Sequence, residues 1–376
     1  MALVLSEEQA LLQQTARELV AQRAPVSRLR KLRDAGDPDG FSRELWAEMA
    51  RLGWLGILVP EAHGGAGLGW LELMVVVEEL GRTLAPEPLL ATVVLGGGAL
   101  LLGGTDAQRA AHLPAVAAGE RLLALAYQEP GSRYDAAPRS TVAERAGGGW
   151  RLSGEKRHVL DGHAADAFVV SARTDGGATL FLVARDAPGV TIERQRRVDF
   201  RNAAIVRFAG VRVGDDAVVG QPGAGGMLLD RVLDRAAIAV SAAMLGGMTA
   251  AFEMTLDYLK TRQQFGVPIG SFQALKHRAA KMYVETELAR SAVLAAHRAL
   301  DDAADDRTVA RLASITKARA SDAYVLIGNE AVQMHGGIGM TDEHDVGFYL
   351  KDARASAILF GDAAHHRDRV ARIDGY

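Results

Sequence analysis

Residues 333–339 read Gln333-Met334-His335-Gly336-Gly337-Ile338-Gly339 and close a helix-like run over 313–332. Adjacent glycines allow close backbone approach and positive φ, so their N–H groups can be aimed at an anion. The same pair suits a helix C-cap, with Gly336 ending the helix and Gly337 turning the chain. By themselves the glycines do not separate a cap from a phosphate site, since short glycine motifs recur by chance. The rest of the chain decides between them.

Working outward, apolar residues keep a helical period over 227–262, 273–302 and 307–332, with a shorter run at 346–359. Four such helices suggest a bundle. Upstream of Gly220-Gln221-Pro222-Gly223-Ala224-Gly225-Gly226 the period is different. Short apolar runs at 122–127, 150–152, 167–172, 179–184, 190–193, 204–208 and 211–213 are separated by Gly, Pro and Asp. That is the spacing of an antiparallel β barrel or sandwich. Ala146-Gly147-Gly148-Gly149-Trp150 and Asp175-Gly176-Gly177-Ala178 read as hairpin turns. Residues 1–120 are helical in pattern. Ser6 opens a capping pattern before Ala10-Leu11-Leu12, a second helix covers 42–52, 53–69 is loop-like around Pro60, 70–84 is periodic, and Thr105 caps a helix through 118. The reading is an α+β multidomain chain. It has an N-terminal helical domain over 1–120, a middle antiparallel β domain over 121–222 and a C-terminal helical bundle over 223–376.

Composition bounds the function. A 376-residue chain with 49% hydrophobic residues can build sizeable cores and is not disordered. Its 43 basic and 46 acidic residues give a net charge of -3, without the basic footprint that nucleic-acid binding needs. The absence of cysteine excludes disulfides, thiol catalysis and cysteine-ligated metals. The opening Met1-Ala2-Leu3-Val4-Leu5-Ser6-Glu7-Glu8 lacks the basic start and long apolar run of a signal peptide. The longest apolar stretch, 89–103, is glycine-rich and too short to span a bilayer. A cytoplasmic protein with no membrane or nucleic-acid partner is the expectation.

Three further stretches join the glycine turn. Arg262-Gln263-Gln264-Phe265-Gly266-Val267-Pro268-Ile269, with a helix opening at Ser271, offers a guanidinium for a diphosphate and a flat apolar ring. Tyr127-Gln128-Glu129-Pro130-Gly131-Ser132 leaves a strand. Leu152-Ser153-Gly154-Glu155-Lys156-Arg157-His158-Val159-Leu160-Asp161-Gly162 follows it. Singly, these suit a helix–helix loop, a Pro-Gly turn and a hairpin. Together, in this order, they resemble the acyl-CoA dehydrogenase family. Leu55-Gly56-Ile57-Leu58-Val59-Pro60-Glu61, Gly64-Gly65 and Glu78-Glu79-Leu80-Gly81 extend the resemblance over essentially the whole chain.

The resemblance implies a helical domain, a β domain and a C-terminal four-helix bundle, assembled as a dimer or tetramer with FAD at the subunit interface. It implies oxidation of the Cα–Cβ bond of an acyl-CoA thioester, with electrons passed to an electron-transfer flavoprotein. A carboxylate takes the α-proton and the flavin accepts hydride from the β-carbon. Carried over by position, Arg262, Phe265 and Gln273 reach the FAD of the neighbouring subunit. Gln333, Gly336 and Gly337 hold its diphosphate and adenosine end. Tyr127, Gln128, His158 and Leu160 face the flavin ring.

The flavin-facing side departs from the family pattern. Gln128 stands for a Thr, Arg133-Tyr134-Asp135 for Gly-Ser-Asp, and His158-Val159-Leu160-Asp161-Gly162 for Trp-Ile-Thr-Asn-Gly. Leu160 has no hydroxyl to donate. The base departs furthest. Most members carry it as Glu in Tyr-Glu-Gly-Thr, and here the stretch is Leu359-Phe360-Gly361-Asp362. A second group carries Glu on the first bundle helix before an Arg. Alignment on Gly246 and Arg262 puts Ala236-Ala237 there, with Asp234-Arg235 two residues earlier, about 200° around a helix. Asp234 and Asp362 are therefore the candidate bases, each with a helix cap or an Arg pairing as its alternative use. His365 and His366 point about 100° apart on a helix, which argues against a metal.

Three readings compete: an active dehydrogenase with an unorthodox base, a subunit lending half of the FAD site to an unlike partner, and a flavoenzyme oxidising a nitroalkane or an N- or S-substituted substrate. The small Ala236, Ala237, Ala239 and Ala242 leave room for a bulky or cyclic acyl group, and equally favour close helix packing.

Overall fold

The computed structural model describes residues 4–376; Met1 to Leu3, the first residues of the segment weighed as a leader, lie outside the described residues. The chain opens with α1 Glu7–Arg23, α2 Val26–Ala35, α3 Arg43–Arg51, α4 Trp70–Arg82, a π-wound segment Leu90–Gly97 that runs into α5 Gly98–Gly103, and α6 Asp106–Ala117. Eight strands follow: β1 Leu123–Ala126, β2 Val142–Ala146, β3 Gly149–Leu160, β4 Ala167–Thr174, β5 Gly177–Ala184, β6 Val190–Arg196, β7 Asn202–Gly214 and β8 Val218–Val219. Then come α7 Gly225–Thr261, the small ribbon β9 Gln263–Gln264 and β10 Val267–Pro268, α8 Gln273–Asp301, α9 Asp306–His335, α10 Val346–Ile358 and α11 Ala363–Asp374. By contact the chain divides into two units. One holds residues 4–35, 70–85 and 237–376; the other holds 36–69 and 86–236.

The second unit is built on one sheet, ordered β6-β7-β3-β2-β4-β5-β8, with β1 added alongside β4. Most pairings are antiparallel, as the turn spacing predicts. The two exceptions are β1 on β4, parallel over four residue pairs, and β2 on β4, parallel at Val142 and Arg173. The hairpins β2–β3 and β4–β5 turn where the glycine runs predict, pairing Ala146 with Gly149 and Thr174 with Gly177. Strand β7 is continuous where two runs were expected, because Ala209-Gly210 bridge them. Strand β2 escaped the sequence reading because Glu144 and Arg145 face solvent and only Ala143 is buried.

Trp150, Phe168, Phe181, Val206 and Phe208 form its core, each contributing about 1.5–3 kcal/mol by leaving water. Trp150 packs edge-on against Phe181 at 5.4 Å while its indole N–H reaches Asp215 at 2.9 Å, so one large ring serves core and surface. The apolar stretch 89–103 is a buried helical segment of this unit.

The first unit is helical. Ser6 and Gln9 form the capping box that starts α1. In the bundle, α9 packs against α8, α10 and α11. Gly246 shows how tightly α7 lies on α4: a Cβ there would sit 1.9 Å from the Glu78 carbonyl oxygen. By length and composition α7 would suffice to cross a membrane, but 78% of its apolar window is buried within the protein. Helix α8 begins at Gln273, two residues later than Ser271, because Ile269–Ser271 form a separate 3-10 turn.

Candidate cofactor and active site

The stretches singled out in the sequence gather at two places, one in each unit. In the helical unit, α7 ends at Thr261 and the chain makes the β9–β10 ribbon before α8. Phe265 and Gly266 turn it, both at positive φ (54° and 78°). A non-glycine residue held there costs on the order of 1–3 kcal/mol and is maintained only where the surroundings enforce it. The Phe265 ring is 89% exposed and meets the edge of Phe272, 6.0 Å away. Among the described residues the exposed Arg262 guanidinium has no hydrogen-bond or salt-bridge partner; only its backbone is engaged, with Tyr258 and Ile269. The ribbon returns so that Gly270 lies on Leu259, which sets the start of α8 beside the end of α7. Phe272 occupies the N-cap position without a side-chain cap, and its carbonyl accepts from the Leu275 and Lys276 N–H groups, which leaves those of Gln273 and Ala274 to an anion.

The glycine turn belongs to the same end of the unit. Tyr258 stacks on His335 at 4.5 Å, and the His344 ring lies tilted against His335, also at 4.5 Å. Above this stack α9 ends, and Gly336–Met340 form a 3-10 turn. Gly336 has φ 62°, as a cap requires, but Gly337 does not need to be glycine for its own conformation. A Cβ at either position would meet nothing within 4 Å. The open space is therefore outside the chain, where an approaching group would use it. His335 Nδ1–H donates to the Ala331 carbonyl at 2.7 Å, and its buried Nε2 has no partner among the described residues. Gln333, Ile338 and Met340 are exposed around the turn. An unpaired guanidinium, an uncapped helix start and an open glycine turn fit a dinucleotide diphosphate; the exposed rings fit its flat end or a partner subunit.

In the sheet unit the other predicted positions also come together. The Gln128 carbonyl accepts from Arg157 N–H at 2.9 Å, which fastens the segment after β1 to the end of β3. Between Lys156 and Val159 the pairing of β3 with β7 shifts register, and His158 sits in that bulge at φ 52°. Bulges re-aim side chains, so Leu160 ends the strand in a register that a regular ladder would not give it. The Gln128 amide donates to the Arg133 carbonyl at 3.3 Å. Half-buried Asp161 follows, its carboxyl pushed up to about 7 by burial against the pull of Arg201 and Arg197. Burial also pushes the Tyr127 phenol up, keeping it neutral.

Two buried groups, one in each unit, were not recognised in the sequence. Glu129 accepts from Arg139, Ser140 and Thr141 N–H groups, from the Ser140 hydroxyl and from Lys156 Nζ, all within 2.7–2.9 Å. Burial alone would raise its pKa, but the Ser140 amide and the Lys156 ammonium outweigh it and hold the carboxyl well below its usual range. Lys317 is fully buried and donates to Ser321 Oγ, to the Ala357 carbonyl and to the Gly361 carbonyl at 2.9–3.1 Å. In sequence both lysines sit in ordinary amphipathic runs, and nothing local marks them as buried.

Lys317 supports the turn that carries Phe360 and Asp362. Phe360 has φ 58°, and its carbonyl accepts from His366 Nε2–H at 3.0 Å. Its ring packs beside Ala237, Ile238, Leu300 and Val309. Asp362 caps α11 by accepting from His365 N–H at 2.8 Å, the alternative use weighed for it. His365 and His366 have ring centres 5.3 Å apart, and no cluster of three metal-ligating side chains occurs among the described residues. Asp234 lies on α7 and is 6% exposed, beside Arg235 in sequence.

The comparisons with known proteins cover the chain from end to end. Family models described as the acyl-CoA dehydrogenase N-terminal, middle and C-terminal domains match residues 6–120, 124–211 and 223–373. A curated relative, the acyl-CoA dehydrogenase FadE27 of Mycobacterium tuberculosis, is 33% identical over 88% of each chain. Among solved structures, the Tcur3481-Tcur3483 steroid ACAD G363A variant superimposes with a TM-score of 0.88 at 34% identity, over 98% of each chain. The ChsE4-ChsE5 complex from Mycobacterium tuberculosis gives 0.89 at 28% identity, over 99% of this chain and 98% of that one. With helical, sheet and helical segments each matched by its own model, the chain belongs to the FAD-dependent acyl-CoA dehydrogenase family.

Proposed function

We propose that this chain takes part in α,β-dehydrogenation of an acyl-CoA thioester, passes the electrons to an electron-transfer flavoprotein, and lends the end of its bundle to a neighbouring subunit's FAD. The observation that carries the proposal is the unpaired, exposed Arg262 and Phe265 beside the open Gly336-Gly337 turn. In this reading Arg262 neutralises the diphosphate, Gln273 and Gln333 orient it, and Gly336 and Gly337 let it approach the backbone. When bound, the flavin supplies the two-electron oxidation of the substrate. Tyr127, Gln128, His158 and Leu160 wall the ring and keep water out. Removal of the α-proton falls to a carboxylate, Asp234 first and Asp362 second. Asp234 comes first because Asp234-Arg235 on the first bundle helix echoes the Glu-Arg of the second group of family members, while one Asp362 oxygen caps α11.

A second reading is supported by a specific observation. Phe360 occupies the turn where most family members carry their acid, and its ring is packed into the helical core. With that acid absent, the chain serves as the half that completes a partner's site. The ChsE4-ChsE5 complex, named as a complex of two chains, supports a hetero-oligomer of this kind. The steroid named for the other neighbour supports a bulky polycyclic acyl group, in keeping with the small residues on α7. Purification alone, with a flavin spectrum and a measured FAD-to-chain ratio, tests both readings. Bleaching of bound flavin by an acyl-CoA supports the first. Activity only after mixing with a Glu-bearing family member supports the second. Full flavin occupancy in Arg262→Ala would overturn the lending role in either.

A further inference from the structure

The buried pair Glu129 and Lys156 is not explained by the sheet it sits in. A sheet of this size is held by its ladders and its apolar core, and a charged pair inside it costs desolvation. Both side chains are almost wholly buried, 3% and 0% exposed, and 2.9 Å apart. Their partners show what they organise. Glu129 gathers three successive N–H groups, of Arg139, Ser140 and Thr141, and thereby closes the loop that leaves β1 back on its own start. Lys156 reaches from β3 to the Tyr127 carbonyl at 3.1 Å and to Ser171 Oγ of β4 at 3.0 Å. One residue later, Arg157 N–H binds the Gln128 carbonyl. The pair therefore joins the segment bearing Tyr127 and Gln128 to the bulge bearing His158 and Leu160. It spends all three ammonium protons and both carboxylate oxygens in doing so.

We infer that Glu129 and Lys156 are positioning residues that set the spacing between the Tyr127-Gln128 segment and the His158–Leu160 bulge, the two walls of the flavin-ring pocket. This rests on the functional reading above, which assigns those walls to the flavin. It also accounts for the alterations in the walls: Gln128, His158 and Leu160 are changed side chains on a fixed frame.

The test compares the full-length wild type with Glu129→Gln and Lys156→Met in the FAD-reconstituted assembly. Glu129→Gln is near-isosteric and keeps acceptors for part of the network, so it preserves the fold if Lys156→Met does not. The first readout is amide hydrogen exchange. The amides of Arg139, Ser140 and Thr141 should exchange at least about tenfold faster, since each charged hydrogen bond lost is worth more than a tenfold factor, and that of Arg157, whose backbone hydrogen bond to Gln128 is held in place by the pair, should exchange faster with them. Amides of the β4–β5 ladder should be unchanged. The second readout is the flavin, whose visible absorption maximum should move and whose dissociation constant should rise about tenfold or more. Uniform acceleration over the whole sheet, or none at the four amides, overturns the inference. So does an unaltered flavin spectrum and affinity in Glu129→Gln. Failure of every wild-type assembly to take up FAD would overturn the functional reading as well, and is distinguished by affecting wild type and variants alike.

Discussion

Lys317 offers a quantitative test of how the turn at 359–362 is held. Burial drives its ammonium down to about 7 from an ordinary value of 10.5, with the Asp362 charge opposing. Between those two values the unfolded chain binds a proton that the folded chain has released. Stability must then rise with pH, by up to about 1.4 kcal/mol per pH unit. From about pH 7.5 to about pH 8.5 the contribution of this one group integrates to about 1.2 kcal/mol, and it levels off below about pH 6. In Lys317→Met that increment vanishes. His366, held down to about 3 by burial and by the Lys317 charge, stays neutral throughout and does not mask it. The variant also strands Ser321 Oγ and the Ala357 and Gly361 carbonyls, so it should be destabilised by about 2–4 kcal/mol at the higher pH and by about 1 kcal/mol less at the lower. Native-state hydrogen exchange of α9 amides, corrected for intrinsic rates, reads both quantities without requiring two-state unfolding of the whole chain. Equal pH dependence in wild type and variant would show that Lys317 does not titrate where its burial places it.

Other perturbations have equally definite outcomes. Arg262→Ala should weaken FAD by about 2–3 kcal/mol through loss of a charge-assisted diphosphate contact, measured by flavin fluorescence on titration. Asp234→Asn should abolish flavin bleaching by acyl-CoA with FAD still bound; retained bleaching would remove Asp234 from the mechanism. Glu129, whose folded pKa lies below its unfolded 4.5, contributes stability above that pH and loses it as pH falls further. The melting temperature of wild type should therefore exceed that of Glu129→Gln at neutral pH and converge with it in strong acid. Phe265→Ser should leave the fold intact, since the ring is largely exposed, and shift the assembly toward smaller species in sedimentation.

The helices were legible because each carries its own periodic apolar stripe and several carry their caps, as at Ser6, Ser42 and Thr105. The hairpins at 147–148 and 175–176 were legible because their glycines state the turn. Strand β2 was not, since an edge-like burial pattern of one residue in five leaves no period to read. The site followed the same rule. Glycine turns and an Arg-aromatic ribbon leave local signatures, so 262–273 and 333–337 could be singled out as candidates before the fold was known. Glu129 with Lys156, and Lys317 with Gly361, act across 27 and 44 residues, and their roles exist only once the chain has folded. Asp234 and Asp362 stayed alternatives in sequence because an acid that caps a helix and one that takes a proton look identical until their partners are known.

The ribbon that displays Phe265 has a consequence for handling the protein. A chain that keeps its ring and its guanidinium for another copy's cofactor holds nothing with them when alone. On the proposed reading, cofactor retention then depends on protein concentration as well as on FAD concentration. Dilution would strip flavin from a preparation that free FAD had saturated, and a colourless eluate from a dilute column would report the loss of neighbours before it reported a defect in the chain.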